Sequence, residues 1–253
     1  MSELVVASIT FLCVFGGALL GLFLRGVLPE HQLSDAAKDV VKLVTGLVAT
    51  LSALVLGLLI ASAKNSFDAV NEGLRQAAAR VIVLDRVLAQ YGSETKAARE
   101  LLRSGFAARV DRIFPEERSP QGTQTPTDGI AAVEEVQQRV RAFSPQSDAQ
   151  RAVQLRAVQL AGEVAQAHWL AIEEADSTIP RPFLVVLVFW LAAMFAAFGL
   201  FAPRNATAIV ALFVGALSIS TSIFLIEELN NSLEGLIAAP SGPMRTALTQ
   251  LGR

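Results

Sequence analysis

Val44–Ala69 reads "VTGLVATLSALVLGLLIASAKNSFDA", and no charge interrupts it before Lys64-Asn65-Ser66. A run of ~20 apolar residues in a helix crosses a ~30 Å hydrocarbon core. The run is also dotted with Thr, Ser, Gly and Ala, which a helix that only anchors a chain in lipid does not need. Such residues serve either close packing against neighbouring helices or the lining of a path.

Three more blocks of similar length lie at Leu4–Leu24, Phe183–Phe201 and Ala206–Ile226, in a chain of 253 residues that is 53% hydrophobic. The expected fold is therefore all-α: a four-span integral membrane protein, with a helical, coiled-coil-like domain between spans two and three. Only Met-Ser-Glu precedes the first block, which has no basic n-region and is long for a signal-peptide core. Within it, Gly17 and Gly21 have the small-xxx-small spacing that lets helix backbones approach, although a Gly-rich span produces such spacing by chance as well. A net charge of −2 gives no footprint for nucleic acid. Cys13 is the single cysteine, so there is neither an intrachain disulfide nor a cysteine cluster for metal, and it reads as a small packing residue.

Arg25–Leu43 is a short polar connection with a candidate helix N-cap at Ser34 or Asp35. After the second span, Phe67, Val70, Leu74, Ala77, Val81, Leu84, Leu88 and Tyr91 recur at steps of three and four, so the span is expected to continue as a helix. Asp68, Arg75, Arg80 and Asp85 fall off that stripe. Gly92-Ser93 is a candidate break. Leu101, Leu102, Phe106, Val110 and Ile113 then mark a further helix. Phe114–Gly129, with three prolines, is a loop, and a short helix over Ile130–Phe143 follows. Ser147 and Gln150 have capping-box spacing ahead of a second stripe: Val153, Ala157, Leu160, Val164, Ala167 and Ala171. The expected division is 1–63 for two spans, 64–180 for the helical domain, 181–226 for two further spans, and 227–253 for a tail. Four spans put the N-terminus, the domain and the tail on one side. Five basic residues near the span ends on that side face four on the other, which hardly discriminates. The cell (inner) membrane with the domain in the cytoplasm is the expectation.

No catalytic signature is present: there is no phosphate-binding glycine loop, no Gly-x-Ser-x-Gly and no His-Glu-x-x-His. His31 and His168 lack sequence neighbours that would make a metal or catalytic set. The expectation is a protein that is not an enzyme and has no cofactor and no metal site. All four spans are free of ionisable residues, which argues against a proton-coupled pump but not against a passive pore. Glu173, Glu174 and Asp176 precede the third span, while Glu227, Glu228, Asn230 and Asn231 follow the fourth. These clusters read either as a pore mouth that meets cations or as a solvated juncture. In the fourth span Gly215, Ser218 and Ser222 share a face beside Ser220 and Thr221, for helix packing or for contact with water and ions.

From "LVLGLLIASAKNSFD" onward, the order of span, helix, helical domain, two spans and tail resembles the bacterial bestrophin-like domain membrane proteins. The tail "ELNNSLEGLIAAPSGPMRTAL" is similar to the end typical of that group, with Gly235, Ile237, Ser241 and Pro243. The group has no assigned function; its distant relatives, the bestrophins, are pentameric anion channels. The resemblance implies a homo-oligomer in the lipid bilayer, pentameric by that analogy, passing an inorganic ion. Bestrophins narrow to an apolar neck on the second span around a Val-Leu-Gly, which here is Val55-Leu56-Gly57. That match places the constriction candidates at Thr50, Leu54 and Leu58, with Lys64, Glu227 and Glu228 at the mouth. Lys64 would bias the path toward anions. Glu227 and Glu228 are a thin counterpart of the acidic calcium clasp of bestrophins. The alternative is a non-conducting sensor or scaffold whose stripe from Phe67 to Tyr91 meets a partner.

Overall fold

The computed structural model of the chain describes residues 3–29, 35–115, 129–175, 181–231, 233 and 235–252. Among them every regular element is helical: α1 (Glu3–Val27), α2 (Asp35–Tyr91), α3 (Lys96–Ile113), α4 (Gly129–Arg141), α5 (Asp148–Ala175), α6 (Arg181–Phe201), α7 (Ala206–Asn230) and α8 (Gly242–Gln250). Four of them, α1, α2, α6 and α7, are long and apolar enough to cross a membrane. A helix satisfies its own backbone polar groups, which lipid cannot do. The second span and the helix after it are one 57-residue element, α2. The helix begins at Asp35, and Ser34 lies outside the described residues, as does most of the loop Phe114–Gly129. The chain forms two compact units, and α2 passes from the first into the second at Ser66–Phe67.

In the four-span unit α1 and α6 run in the same direction with their backbones in contact. A Cβ at Gly17 would stand 2.6 Å from the Ala192 carbonyl oxygen; at Gly21 or Gly199 it would overlap the carbonyls of Ala196 or Ala18. The Gly17–Gly21 spacing is thus a packing motif. Cationic side chains cap the C-terminal ends of both helices. Arg25 Nη1 donates to the Phe201 and Ala202 carbonyls, and Arg204 Nη2 donates to the Leu22 carbonyl at 3.1 Å. The helix α7 packs antiparallel to α1. Ser220 Oγ donates to the Ala7 carbonyl at 2.6 Å, and Phe213 meets Phe11 and Phe15 edge-on. Ser222 and Thr221 donate to the carbonyls of Ser218 and Leu217. These three hydroxyls therefore bond to backbone. Cys13, expected inside the packing, is exposed on the unit's surface.

In the helical unit the stripe of α2 turns inward: Leu74, Ala77, Val81, Leu84, Leu88 and Tyr91 are buried, against Leu102, Phe106 and Val110 of α3 and Ala157, Leu160 and Val164 of α5. Gly92, at φ 135°, ends α2, and Thr95 Oγ1 donates to the Leu88 and Gly92 carbonyls across the turn. The α5 entrance is a variant capping box. Gln150 N donates to Ser147 Oγ at 3.2 Å, while Gln150 Oε1 accepts from Gln146 N rather than from Ser147 N.

Asp85, which falls off the apolar stripe in sequence, lies in the interior all the same. It is 1% exposed, and its carboxylate takes Arg99 Nε and Nη2 at 2.8 Å each, plus Gly252 N at 3.2 Å. The bond to Asp85 raises the Arg99 pKa above its ordinary value, so the guanidinium keeps its charge. One carboxylate thereby ties α2 to α3 and to the end of the chain beyond α8.

Two outcomes are expected. Gly21→Ala lowers the thermal midpoint of the solubilised protein, since overpacking costs ~1–3 kcal/mol. Gly16→Ala, where a Cβ meets nothing within 4 Å, leaves the midpoint unchanged or higher. Asp85→Ala costs ~1–3 kcal/mol because it removes the charge-assisted bonds to a half-buried Arg99 and leaves Gly252 N without its acceptor, and in denaturant titrations the double variant with Arg99→Ala loses less than the sum of the two.

Candidate functional site

The helix α2 has two unlike sides. Thr45, Ser52, Leu59 and Ala63 are buried. The residues Thr45, Ala49 and Ser52, whose small side chains suit close packing, therefore lie on or beside the packed side, where Ser52 Oγ is buried without a hydrogen-bond partner. The other side is open. Leu43, Leu47, Thr50, Leu54, Leu58, Ala61 and Asn65, at steps of three and four, are all exposed, Leu54 by 71% and Leu58 by 70%. Thr50 Oγ1 donates to the Gly46 carbonyl at 3.0 Å, so its hydroxyl proton is held by its own helix and its outward surface is less polar than the residue type suggests.

The same periodicity continues along α2 with Asp68, Glu72 and Gln76, all exposed, and Glu72 accepts from Gln76 Nε2 at 3.1 Å. Sequence reasoning noted Asp68 only as a charge off the apolar stripe and passed over Glu72, because both follow the charged end of the span. Extending the Leu54–Leu58 spacing past Lys64 would have found them. Lys64 is exposed, but it stands ten positions from Leu54 and so turns ~80° away from that face.

The structure separates Glu227 from Glu228, the candidate pair at the mouth. Glu227 is half-buried in the last turn of α7. Glu228 is 3% exposed, and its Oε1 accepts from Ile237 N at 3.1 Å. Gly235 lies so close to this carboxylate that a Cβ there would collide with it. The Asn231 backbone N donates to the Glu227 carbonyl at 3.1 Å, and Asn231 Nδ2 donates to Glu3 Oε1 at 3.0 Å, which joins the end of α7 to the start of α1. The resemblance of the tail thus has a structural content: Gly235 and Ile237 are the residues that Glu228 holds. Among the described residues there is no group of His, Cys, Asp and Glu placed to hold a metal ion. His31, Asp176 and the side chains of His168, Glu173 and Glu174 lie outside them.

The family described as the Bestrophin-like domain matches residues 12–244. No curated protein matches the sequence. Solved structures of a bacterial bestrophin homologue from Klebsiella pneumoniae, each carrying a single substitution, share the fold. One superposes with a TM-score of 0.70 at 13% identity, covering 99% of this chain and 97% of the other. A second gives 0.65 at 13% identity over 96% of both. A third gives 0.63 at 14% identity over the whole of both.

Gly235→Ala is expected to displace the Glu228 carboxylate and release the Ile237 amide. Faster amide hydrogen exchange around Ile237, with exchange in α1 and α6 unchanged, is the signature of that loss.

Proposed function

The chain belongs to the bestrophin-like domain family, and on that premise we propose that it is a passive ion channel assembled from several copies, with α2 of each copy facing a shared axis. The observation that carries this reading is the exposed face of α2, where Thr50, Leu54 and Leu58 stand outward from a four-span unit whose other side is packed. Rings of leucine around an axis can close a path by dewetting without any charged residue. A pentamer is the stoichiometry that the likeness to bestrophins supports, and the cell membrane with the helical unit in the cytoplasm is its proposed setting.

The charge of the permeant ion depends on which residues line the path beyond Leu58. Lys64 favours anions, as the resemblance implies. Asp68 and Glu72 lie closer to the Leu54 face and oppose that bias. Glu227 is the mouth residue with part of its side chain open, whereas Glu228 would act on the mouth through the turn it holds.

The alternative is a non-conducting sensor or scaffold. Its best surface, the stripe from Phe67 to Tyr91, is half-buried at Phe67 and Val70 and buried inside the helical unit from Leu74 onward, so a partner would have to bind elsewhere.

Liposomes carrying the purified protein are expected to pass small inorganic ions, with Leu54→Ala or Leu58→Ala raising the flux. Liposomes that stay tight for all three proteins would sink the channel reading. Where flux is measurable, Asp68→Asn with Glu72→Gln should move the reversal potential toward anion preference, and Lys64→Gln should move it the opposite way.

A further inference from the structure

The four-span unit carries a groove of 360 Å³ between α2 and α6 that the channel reading does not use. Its α2 wall runs from Lys42 past Gly46 to Ala49, and its α6 wall includes Ala197, Phe198 and Phe201. Small residues on both helices leave the hollow, and the two phenylalanines line it. A Cβ built on Gly46 meets nothing within 4 Å, so the hollow is open there.

The two ends of the groove differ chemically. At one end Lys42 lines it directly, and the Arg25 guanidinium sits on the carbonyls of Phe201 and Ala202, both lining residues. Arg204 follows two positions later in the chain and reaches the Leu22 carbonyl, on the same edge of the unit. Asp39 lies 3.7 Å from Lys42, with both side chains more than two-thirds exposed, a pairing too solvated to cancel the other cations. From that edge the walls become largely apolar, with Thr45 the one hydroxyl residue, over the seven positions from Lys42 to Ala49, ~10 Å of helix, against ~15 Å for one leaflet's hydrocarbon.

We infer that this groove binds an anionic phospholipid of the surrounding bilayer, its phosphate at Lys42 and Arg25 and the first part of an acyl chain along Gly46, Ala49 and Phe198. The groove is cationic where headgroups lie and apolar where chains lie, and this order matches a lipid end to end. A second copy of the chain fits less well. In an assembly around an axis along the membrane normal, it would bring its own cationic edge to the same level, like charge against like charge. The inference does not rest on conduction.

The test uses the full chain in detergent, titrated with phosphatidylglycerol or with phosphatidylcholine of the same chain length, and read by native mass spectrometry and thermal midpoint. Phosphatidylglycerol is expected to be retained and to raise the midpoint, and phosphatidylcholine to do neither at equal concentration. Lys42→Glu should weaken phosphatidylglycerol retention at least fivefold, the scale of one basic residue at an anionic surface. Gly46→Leu, which fills open space, should abolish retention while leaving the lipid-free midpoint in place. Equal retention of the two lipids would overturn the inference, as would undiminished retention in Gly46→Leu. Stabilisation by inorganic phosphate as large as that by phosphatidylglycerol would remove the acyl chain from the account. A smaller particle for Gly46→Leu would assign the groove to a second copy instead.

Discussion

Backbone contact between α1 and α6 is the constraint on which the four-span unit depends. In lipid there is no hydrophobic gain from bringing one apolar helix to another, so association rests on close packing and on polar groups that bond across helices. Gly17, Gly21 and Gly199 supply the first, since a side chain at any of them would strike a carbonyl on the other helix. Arg25 and Arg204 supply the second by closing each other's helix ends. With α1, α6 and α7 joined in this way, α2 contributes only one side to the packing. The opposite side, with Leu54 and Leu58, remains outward. The candidate path is thus a consequence of how the other three spans satisfy one another.

The helical unit depends on a different kind of contact. Its core is aliphatic and forms from the stripes of α2, α3 and α5. Within it, the carboxylate of Asp85 is shared between Arg99 and the backbone of Gly252. An ion pair on a buried carboxylate adds little net stability against an apolar substitute but is costly to break, so it holds one arrangement of helices in place. Here that arrangement includes the last residues of the chain. Glu228 repeats the device in the other unit, where its carboxylate holds the turn after α7. Two acidic residues that look like surface charges in sequence therefore fix the course of the tail.

Hydroxyl residues in the spans raised a choice between packing and a path, and for most of them packing is the answer. Ser220 bonds to α1, Thr221 and Ser222 bond within α7, and Thr45 and Ser52 are buried. Thr50 alone among these is both on the open face of α2 and bonded to its own helix. The leucines beside it are what any path along this face would meet.

The number of spans, the all-helical class, the break at Gly92 and the apolar stripes were legible in the sequence, because hydrophobic length and a period of 3.6 are local properties of a helix in lipid or in a core. The resemblance to the family was legible too. Three things waited for the tertiary structure. Gly17 and Gly21 became a motif only when Ala192 and Ala196, distant in the chain, stood against them. Asp85 and Glu228 passed from surface to interior because their partners, Arg99 with Gly252 and Ile237, come from other elements. The side of α2 that stays open depends on which neighbours cover the other. A sequence states how apolar and how periodic a segment is; which face is left without a neighbour is decided only when all the faces compete for contact.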